Sequence, residues 1–304
     1  MESTVFAGSL VAIVTPFRDD GEIDWKAWAR LVDFHLQAGT SGLVIGGTTG
    51  ESPTITEPEL IELTRRATEQ VAGRMRIIVG CGTSSTASTV DRVRLHGAGG
   101  ADGLLLVTPV YNRPTQEGLF LHFEAAAQAS RIPVILYNVP TRTAVDLLPA
   151  TVARLSRLPN IVAVKEAVAS MTRIRELAEL CRPGFGLLSG DDETARDAMG
   201  NGACGVISVT GNVAPGLMST MIKAAGSGDM SSAARIDSKL IGLHRSLFLE
   251  TNPIPLKWAL ERMGLIGGAL RLPLTRLAPQ HHAAVEAALR QAEVGLPGNG
   301  HASG

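Results

Sequence analysis

The sequence is poor in aromatic residues, which make up 4% of its 304 residues, although 45% of the chain is hydrophobic. A core that buries a chain of this length must therefore consist mainly of Val, Ile, Leu and Ala, as is typical of the interiors of α/β barrels. The length fits one large barrel domain with an extension, or two domains of average size.

Net charge, cysteine and long apolar runs are also scarce. A formal net charge of −1 argues against a nucleic-acid-binding protein, whose surface would be basic. The three cysteines, Cys81, Cys181 and Cys204, lack the spacing of metal ligands and favour a reducing cytoplasm. No apolar run approaches the roughly 18 residues of a membrane span. Pro16 and Arg18 interrupt the N-terminal run, so no signal peptide is predicted.

The chain does contain a regular alternation of short β-rich runs and helical patterns. Strands that alternate with helices predict a parallel sheet, and eight such units predict a (β/α)8 TIM barrel with a C-terminal helical extension. A doubly wound sheet is the alternative, but its Gly-x-Gly-x-x-Gly fingerprint is missing after the first strand. The predicted strands are Ser9–Val14, Gly42–Gly46, Arg76–Cys81, Gly103–Val107, Pro133–Tyr137, Ile161–Lys165, Phe185–Ser189 and Cys204–Val209.

The predicted barrel spans residues 1–226 and ends at a linker-like Gly-Ser-Gly-Asp sequence. Residues 227–294 are expected to form amphipathic helices that pack on the barrel or on another subunit. The glycine-rich residues 295–304 are expected to be disordered. The predicted C-terminal helices are Ser231–Phe248, Pro255–Met263 and Gln280–Val294.

Lys165 is the most informative candidate residue, because it ends an apolar strand, and barrel active sites lie at the C-terminal ends of the strands. Such a lysine points into a poorly solvated barrel mouth, where burial disfavours the ammonium form. The free amine can then attack a ketone. The alternative is an ordinary ion pair with Glu166, and position alone leaves both interpretations open.

Tyr137 ends the neighbouring strand and strengthens the catalytic interpretation. A phenol beside an amine can carry protons during Schiff-base formation and carbon–carbon bond making. The chain has two tyrosines, and Tyr111 also falls on this face. The alternative for either is a half-buried aromatic with a satisfied hydroxyl group.

Two further features at this end of the barrel suit carboxylate binding. The glycine-rich turn that contains Thr48 and Thr49 offers backbone N–H groups and hydroxyls, but it is not a P-loop, since no lysine follows its last glycine. Arg142 offers a two-pronged contact for a second carboxylate, unless it is a surface arginine. Asp191 follows the seventh strand.

Histidine chemistry is not supported by the sequence. No Gly-x-Ser-x-Gly elbow is present, which argues against a serine hydrolase, and no metal site is predicted. Four histidines lie within helical patterns and are expected at the surface or between helices: His35, His96, His122 and His244.

Several motifs extend this pattern from about Gly8 to about Leu289. They are Gly8–Pro16, Gly47–Ser52, Thr108–Pro114, Tyr137–Thr143, Lys165–Ala167, Leu188–Asp192 and Asn252–Trp258. In combination they closely resemble those of the dihydrodipicolinate synthase family, pyruvate-dependent class I aldolases that also include N-acetylneuraminate lyase. The resemblance implies a lyase of lysine (diaminopimelate) biosynthesis that condenses pyruvate with L-aspartate 4-semialdehyde, giving 4-hydroxy-tetrahydrodipicolinate.

The resemblance also implies residue roles. Lys165 would form the Schiff base with pyruvate, and Tyr137 would relay protons to and from it. Thr49 would pass protons onward and, with Thr48, hold the pyruvate carboxylate through backbone groups. Tyr111 would complete the relay in the active site of the adjacent subunit, within a homotetramer built as a dimer of dimers.

The remaining implied roles concern the aldehyde. Arg142 would bind its carboxylate, while Gly190, Asp191 and the backbone of Ile207 would line the site near its amino end. The iminium on Lys165 is itself the electron sink, so neither a metal nor an organic cofactor is expected.

Two alternative functions differ in how many of these residues they would need. A sialic-acid or 2-keto-3-deoxy sugar-acid lyase would share Lys165 and Tyr137, but Arg142 and Tyr111 in their motifs favour an aldehyde that carries a carboxylate. A catalytically silent barrel with a regulatory or ligand-binding role would be expected to lose a relay residue, and none is lost here.

Feedback inhibition is where the chain departs from part of the family, in which L-lysine binds a cleft between subunits. Lysine-sensitive bacterial relatives carry histidines where this chain has Glu57 and Leu60, asparagine at Ser84, glutamate at Ser88 and an aromatic residue at Val110. Losing several charge-assisted contacts of roughly 1.5–3 kcal/mol each predicts that inhibition by L-lysine is weak or absent.

Overall fold

A computed structural model describes residues 5–295 as a closed barrel of eight parallel strands in the order β1 to β8. The barrel closes where Gly8 of the first strand pairs with Gly205 of the last. This confirms the predicted TIM barrel over the doubly wound sheet. The strands are β1 Gly8–Ala12, β2 Gly42–Ile45, β3 Arg76–Gly80, β4 Gly103–Val107, β5 Val134–Asn138, β6 Ile161–Glu166, β7 Gly186–Ser189 and β8 Gly205–Ser208.

The strands form because their short apolar runs can be buried on both faces, as parallel barrel strands require. Inward-facing side chains such as Leu10, Val44 and Ile135 fill the barrel interior. Their sequence neighbours, such as Val11 and Leu43, pack outward against the helices. The interior therefore consists mainly of aliphatic side chains, in keeping with the low aromatic content.

Helices follow the strands and cover the outside of the barrel. The first helix shows why they form, since the Asp24 side chain accepts hydrogen bonds from the amides of Lys26 and Ala27 at its start. Its buried residues include Trp28 and Leu31 on one face. The barrel helices are α1 Trp25–Gln37, α2 Glu57–Val71, α3 Thr86–Gly97, α4 Gln116–Ala129, α5 Pro140–Thr143, α6 Pro149–Leu155, α7 Met171–Leu180, α8 Ala195–Met199 and α9 Pro215–Gly226.

Three further helices extend the barrel: α10 Met230–Ser246, α11 Ile254–Arg262 and α12 His282–Gln291. Helix α10 packs on α9 and α12. Leu240, Leu256 and Val285 from these helices are fully buried in the same apolar cluster as the barrel strands, so barrel and extension share one core. Within the described residues, no helix is long and apolar enough to cross a membrane. The tail that was predicted to be disordered begins at residue 295, and residues 296–304 lie outside the described range.

Candidate active site

A cavity of about 610 Å³ lies at the C-terminal ends of the strands. Its walls come from the segments after β2, β5, β6 and β7 and from residues 248–252, which follow α10. Most of the predicted site residues line this single cavity, although they are dispersed along the chain. Those that line it are Thr48, Thr49, Tyr137, Arg142, Lys165, Gly190 and Asp191.

Lys165 lies near the end of β6, directly in register with Tyr137 of β5. Its side chain is buried, with 6% of its surface exposed, and its Nζ lies 4.3 Å from the centre of the Tyr137 ring. None of the carboxylates in residues 5–295 lies within ion-pair distance of this Nζ. Lys165 is therefore a buried amine that faces an open cavity without a counter-ion.

Glu166 points to the other face of the strand and does not pair with Lys165. Its two carboxylate oxygens accept hydrogen bonds from Asn138 Nδ2, each at 3.1 Å, and one also accepts from the Val168 amide at 2.8 Å. Burial raises the pKa of the Glu166 carboxyl to about 7. These contacts join the ends of β5 and β6 from outside the barrel, and the ion-pair alternative for Lys165 is wrong.

The turn after β2 presents Thr48 and Thr49 to the cavity. Its own hydrogen bonds shape it, since the Gly50 amide donates to Gly47 O at 3.0 Å and the Glu51 amide to Thr48 O at 3.0 Å. Within residues 5–295, the amides of Thr48 and Thr49 have no hydrogen-bond acceptor. Two neighbouring N–H groups at the cavity wall suit a carboxylate.

Arg142 and Asp191 bring opposite charges to the same cavity. Arg142 is exposed on the short helix α5, and no acceptor among the described residues engages its guanidinium group. Asp191 is half-buried, and its Oδ2 accepts hydrogen bonds from the Thr194 amide at 3.0 Å and from the Thr194 hydroxyl at 2.7 Å. Gly190 lies beside β6, where an added Cβ would sit 3.0 Å from the Ala167 Cα.

Two predicted residues do not line the cavity. Ile207 lies in β8 with its side chain buried in the barrel interior. Tyr111 is 95% exposed and has a left-handed backbone with φ of 74°. The loop around it is held by Ser84, whose Oγ donates to Val110 O at 2.9 Å and whose carbonyl accepts from Asn112 Nδ2 at 2.9 Å.

The four helical histidines are buried between elements of the fold, so the expectation of a surface position is wrong and that of an interhelix position is confirmed. For example, His35 Nδ1 lies 3.1 Å from Thr40 Oγ1, and burial lowers the pKa of His35 to about 3. No group of three or more His, Cys, Asp or Glu side chains within residues 5–295 could hold a metal ion.

The residue pattern did not identify Asn252 and Lys257 as neighbours of the site. Asn252 Nδ2 donates to Thr49 Oγ1 at 3.0 Å, and Lys257 Nζ lies 2.5 Å from Glu51 Oε1. Both residues belong to the Asn252–Trp258 motif, and membership of this motif was the sequence feature that could have indicated their role. Their partners are more than 200 residues away in the chain (203 and 206).

Comparison with known proteins places this geometry in a family. The model of the dihydrodipicolinate synthetase family matches residues 5–292. The 4-hydroxy-tetrahydrodipicolinate synthase of Pseudomonas aeruginosa is 51% identical over 290 residues, covering 95% of this chain and 99% of that protein.

Solved structures of proteins with similar sequences have the same fold as this chain. Dihydrodipicolinate synthase from Acinetobacter baumannii complexed with pyruvate shares 44% identity with a TM-score of 0.93, covering 95% of this chain and 99% of that one. The enzyme from Cyanidioschyzon merolae with lysine bound shares 34% identity with a TM-score of 0.92, covering 96% and 99%. The chain thus has the fold of these relatives, and it belongs to the dihydrodipicolinate synthetase family.

Proposed function

We propose that this chain condenses pyruvate with L-aspartate 4-semialdehyde to give 4-hydroxy-tetrahydrodipicolinate, the reaction for which its curated relatives are named. The observation that carries the proposal is Lys165, a buried amine without a carboxylate partner that faces a cavity beside the Tyr137 ring. Such an amine can attack the keto group of pyruvate.

Pyruvate would bind with its carboxylate on the free amides of Thr48 and Thr49. Lys165 Nζ attacks the keto carbon, and the keto oxygen leaves as water after taking protons relayed by Tyr137. The resulting iminium acidifies the pyruvate methyl group. Loss of one methyl proton gives an enamine, which forms the new bond to the aldehyde carbon as the aldehyde oxygen takes a proton and becomes a hydroxyl group, and the imine on Lys165 re-forms. The amino group of the aldehyde substrate then displaces Lys165 from the imine carbon and closes the ring.

The charges of the cavity suit an aldehyde that carries both a carboxylate and an ammonium group. The exposed, unpartnered guanidinium of Arg142 can make a two-pronged contact with the carboxylate. Asp191 also lines the cavity, and its half-buried carboxylate favours a cationic group. A neutral polyol aldehyde would offer the Arg142 guanidinium no carboxylate, so the cavity favours the amino-acid aldehyde over a sugar.

The experiment is a comparison of aldehydes at saturating pyruvate. L-Aspartate 4-semialdehyde should be consumed with a kcat/KM at least about a hundredfold above that for N-acetylmannosamine or glyceraldehyde. Arg142→Ala should lower kcat/KM for L-aspartate 4-semialdehyde alone and thereby reduce this ratio. Equal or better use of a sugar aldehyde would contradict the proposal.

We also propose that the active unit is a dimer in which Tyr111 enters the partner's site, within a homotetramer. The 95% exposure of Tyr111 and its position outside the cavity of its own chain support this, because its phenol is available to a second subunit. Mixing inactive Tyr111→Phe and Lys165→Ala chains should restore part of the activity, since a hybrid dimer regains one intact site. The absence of rescue after verified subunit exchange would contradict the shared site.

A second, smaller cavity of about 230 Å³ adjoins the active site and includes Val110 and Arg92 in its lining. The neighbouring Glu57 has its carboxylate 3.0 Å from Arg92 Nε and 2.5 Å from His96 Nε2. Glu57 is therefore already engaged and offers little to the ammonium groups of L-lysine. Since Ser88 supplies no anion, we propose that L-lysine is not an effective inhibitor.

A further inference from the structure

The C-terminal extension contacts the pyruvate-binding turn at two points. Lys257 of α11 reaches Glu51, and Asn252 in the preceding segment reaches Thr49. Both contacts are buried, and both end on the six-residue stretch Gly47–Ser52 that carries the free amides of Thr48 and Thr49. The extension is therefore in direct contact with the part of the barrel that would hold the pyruvate carboxylate.

Glu51 is held in an unusual backbone conformation. Its φ of 59° lies in the left-handed region, which is disfavoured for residues other than glycine and persists where the surroundings fix it. The Glu51 side chain is 1% exposed and lies 2.5 Å from the fully buried Lys257 Nζ. Its second oxygen accepts a hydrogen bond from the Arg271 amide at 3.1 Å. These contacts fix the residue at which the turn leaves the cavity wall.

The ion pair is enclosed on its remaining side. Lys257 Nζ lies 4.3 Å from the centre of the Phe17 ring, and Phe17 is 1% exposed. A charge buried in this way is costly unless it is paired. Removal of either partner leaves the other charge uncompensated. A shift of the turn would separate Glu51 from Lys257, and it is opposed by the same cost.

Asn252 acts on Thr49 in a different way. Its Nδ2 donates to Thr49 Oγ1 at 3.0 Å, and both side chains are buried. Because this oxygen already accepts a hydrogen bond from Asn252, the hydroxyl proton of Thr49 is directed elsewhere. The contact thereby fixes both the rotamer of Thr49 and the direction in which it can donate.

We propose that Lys257 and Asn252 are positioning residues of the active site. Lys257, through Glu51, and Asn252, through Thr49, hold the turn so that the amides of Thr48 and Thr49 face the pyruvate carboxylate. The inference rests on the proposed function, since it needs pyruvate as the ligand of this turn. It assigns the C-terminal extension a part in substrate binding in addition to packing.

The test is a pyruvate titration of borohydride trapping, with the modified peptide identified by mass spectrometry and no aldehyde present. The variants are Lys257→Met and Asn252→Ala, and Leu260→Ala is the matched control, because Leu260 is fully buried on the same helix and its aliphatic side chain can form neither an ion pair nor a hydrogen bond with the turn. Half-maximal labelling of Lys165 should need about tenfold more pyruvate in each positioning variant, the effect expected if one amide of the turn no longer reaches the pyruvate carboxylate. The control should label as the wild type does.

If Lys257→Met does not fold, Glu51→Gln/Lys257→Met removes both charges together and is expected to fold with the same weakened labelling. Wild-type pyruvate dependence in this double variant and in Asn252→Ala would overturn the proposal, whatever their melting temperatures. A wild-type protein that gives no pyruvate-dependent adduct on Lys165 would instead contradict the proposed function. The two failures are therefore distinguishable.

Discussion

Lys165 and Lys257 are both buried near the C-terminal ends of the barrel strands, and each Nζ lies 4.3 Å from the centre of an aromatic ring. Their surroundings differ in one respect. Lys257 faces the Glu51 carboxylate at 2.5 Å, whereas Lys165 has an open cavity before it and its neighbour Glu166 faces away.

The difference shows that burial alone does not mark a nucleophile. Burial lowers the pKa of the Lys257 ammonium, but the charge of Glu51 opposes that shift. The Lys257 amine is therefore engaged in a structural ion pair. A buried amine such as that of Lys165, with no carboxylate of residues 5–295 beside it, is free to react with an electrophile in the cavity. We therefore assign the chemistry to Lys165 and a positioning role to Lys257.

The largest expected effect separates the two lysines by substitution with the same residue. Lys165→Met should lose more than about a thousandfold in kcat/KM, because the nucleophile is gone, with a melting temperature equal to or above the wild type. Lys257→Met should lose about 3–5 kcal/mol of unfolding free energy, because it leaves Glu51 unpaired. Steady-state kinetics and denaturant unfolding measure both. Comparable losses of unfolding free energy in the two variants would contradict the different roles of Lys165 and Lys257.

Arg142 also faces the cavity, and no acidic side chain of residues 5–295 pairs with it. Arg142→Ala should raise the KM for L-aspartate 4-semialdehyde about 10- to 150-fold, the equivalent of roughly 1.5–3 kcal/mol for a charge-assisted contact. The KM for pyruvate should change little. Arg245→Ala is a suitable control, because Arg245 is an exposed arginine that pairs with Glu193. An unchanged KM for the aldehyde would remove Arg142 from the site.

Glu166 tests whether Lys165 truly lacks an anionic partner. Because burial raises the pKa of its carboxyl from 4.5 to about 7, its contribution to stability is full below about pH 4.5 and is lost as pH rises through about 7. Glu166→Gln should therefore be more stable than the wild type by about 1–3 kcal/mol at pH 8 and similar to it near pH 4.5. A partner of the Lys165 ammonium would behave oppositely, so lower stability of the variant at pH 8 would contradict the structure.

The smallest expected effect is that of L-lysine. Glu57, like Glu51, is a carboxylate whose charge is already used, here by Arg92 and His96. Millimolar L-lysine at saturating pyruvate should leave the activity within experimental error of the untreated enzyme. Strong inhibition at sub-millimolar concentration would show that the cleft has contacts other than those inferred from Glu57, Ser88 and Val110.

Much of the fold could be predicted because barrel strands carry a local signal. The run Gly103–Val107 was predicted with the bounds that the structure gives it, and helix α11 was predicted within one residue at each end. Buried apolar runs bounded by glycine and polar residues are enough for this. The position of Lys165 at the mouth of the barrel follows from the same pattern.

Contacts between distant parts of the chain could not be predicted in this way. Glu51 and Lys257 are 206 residues apart, and no periodicity links an acidic residue in a turn to a lysine on a C-terminal helix. Burial of His35 and His96 depends likewise on which helices pack together. Sequence reasoning identified the residues that face the cavity, whereas the residues that hold them in place required the structure.

Borohydride reduction in the presence of pyruvate tests the central claim most directly, because it records which lysine carries the imine. We expect one pyruvate-derived adduct on the peptide that contains Lys165, retained in Lys257→Met at higher pyruvate and absent in Lys165→Met. An adduct on Lys257, or one that persists in Lys165→Met, would contradict the assignment.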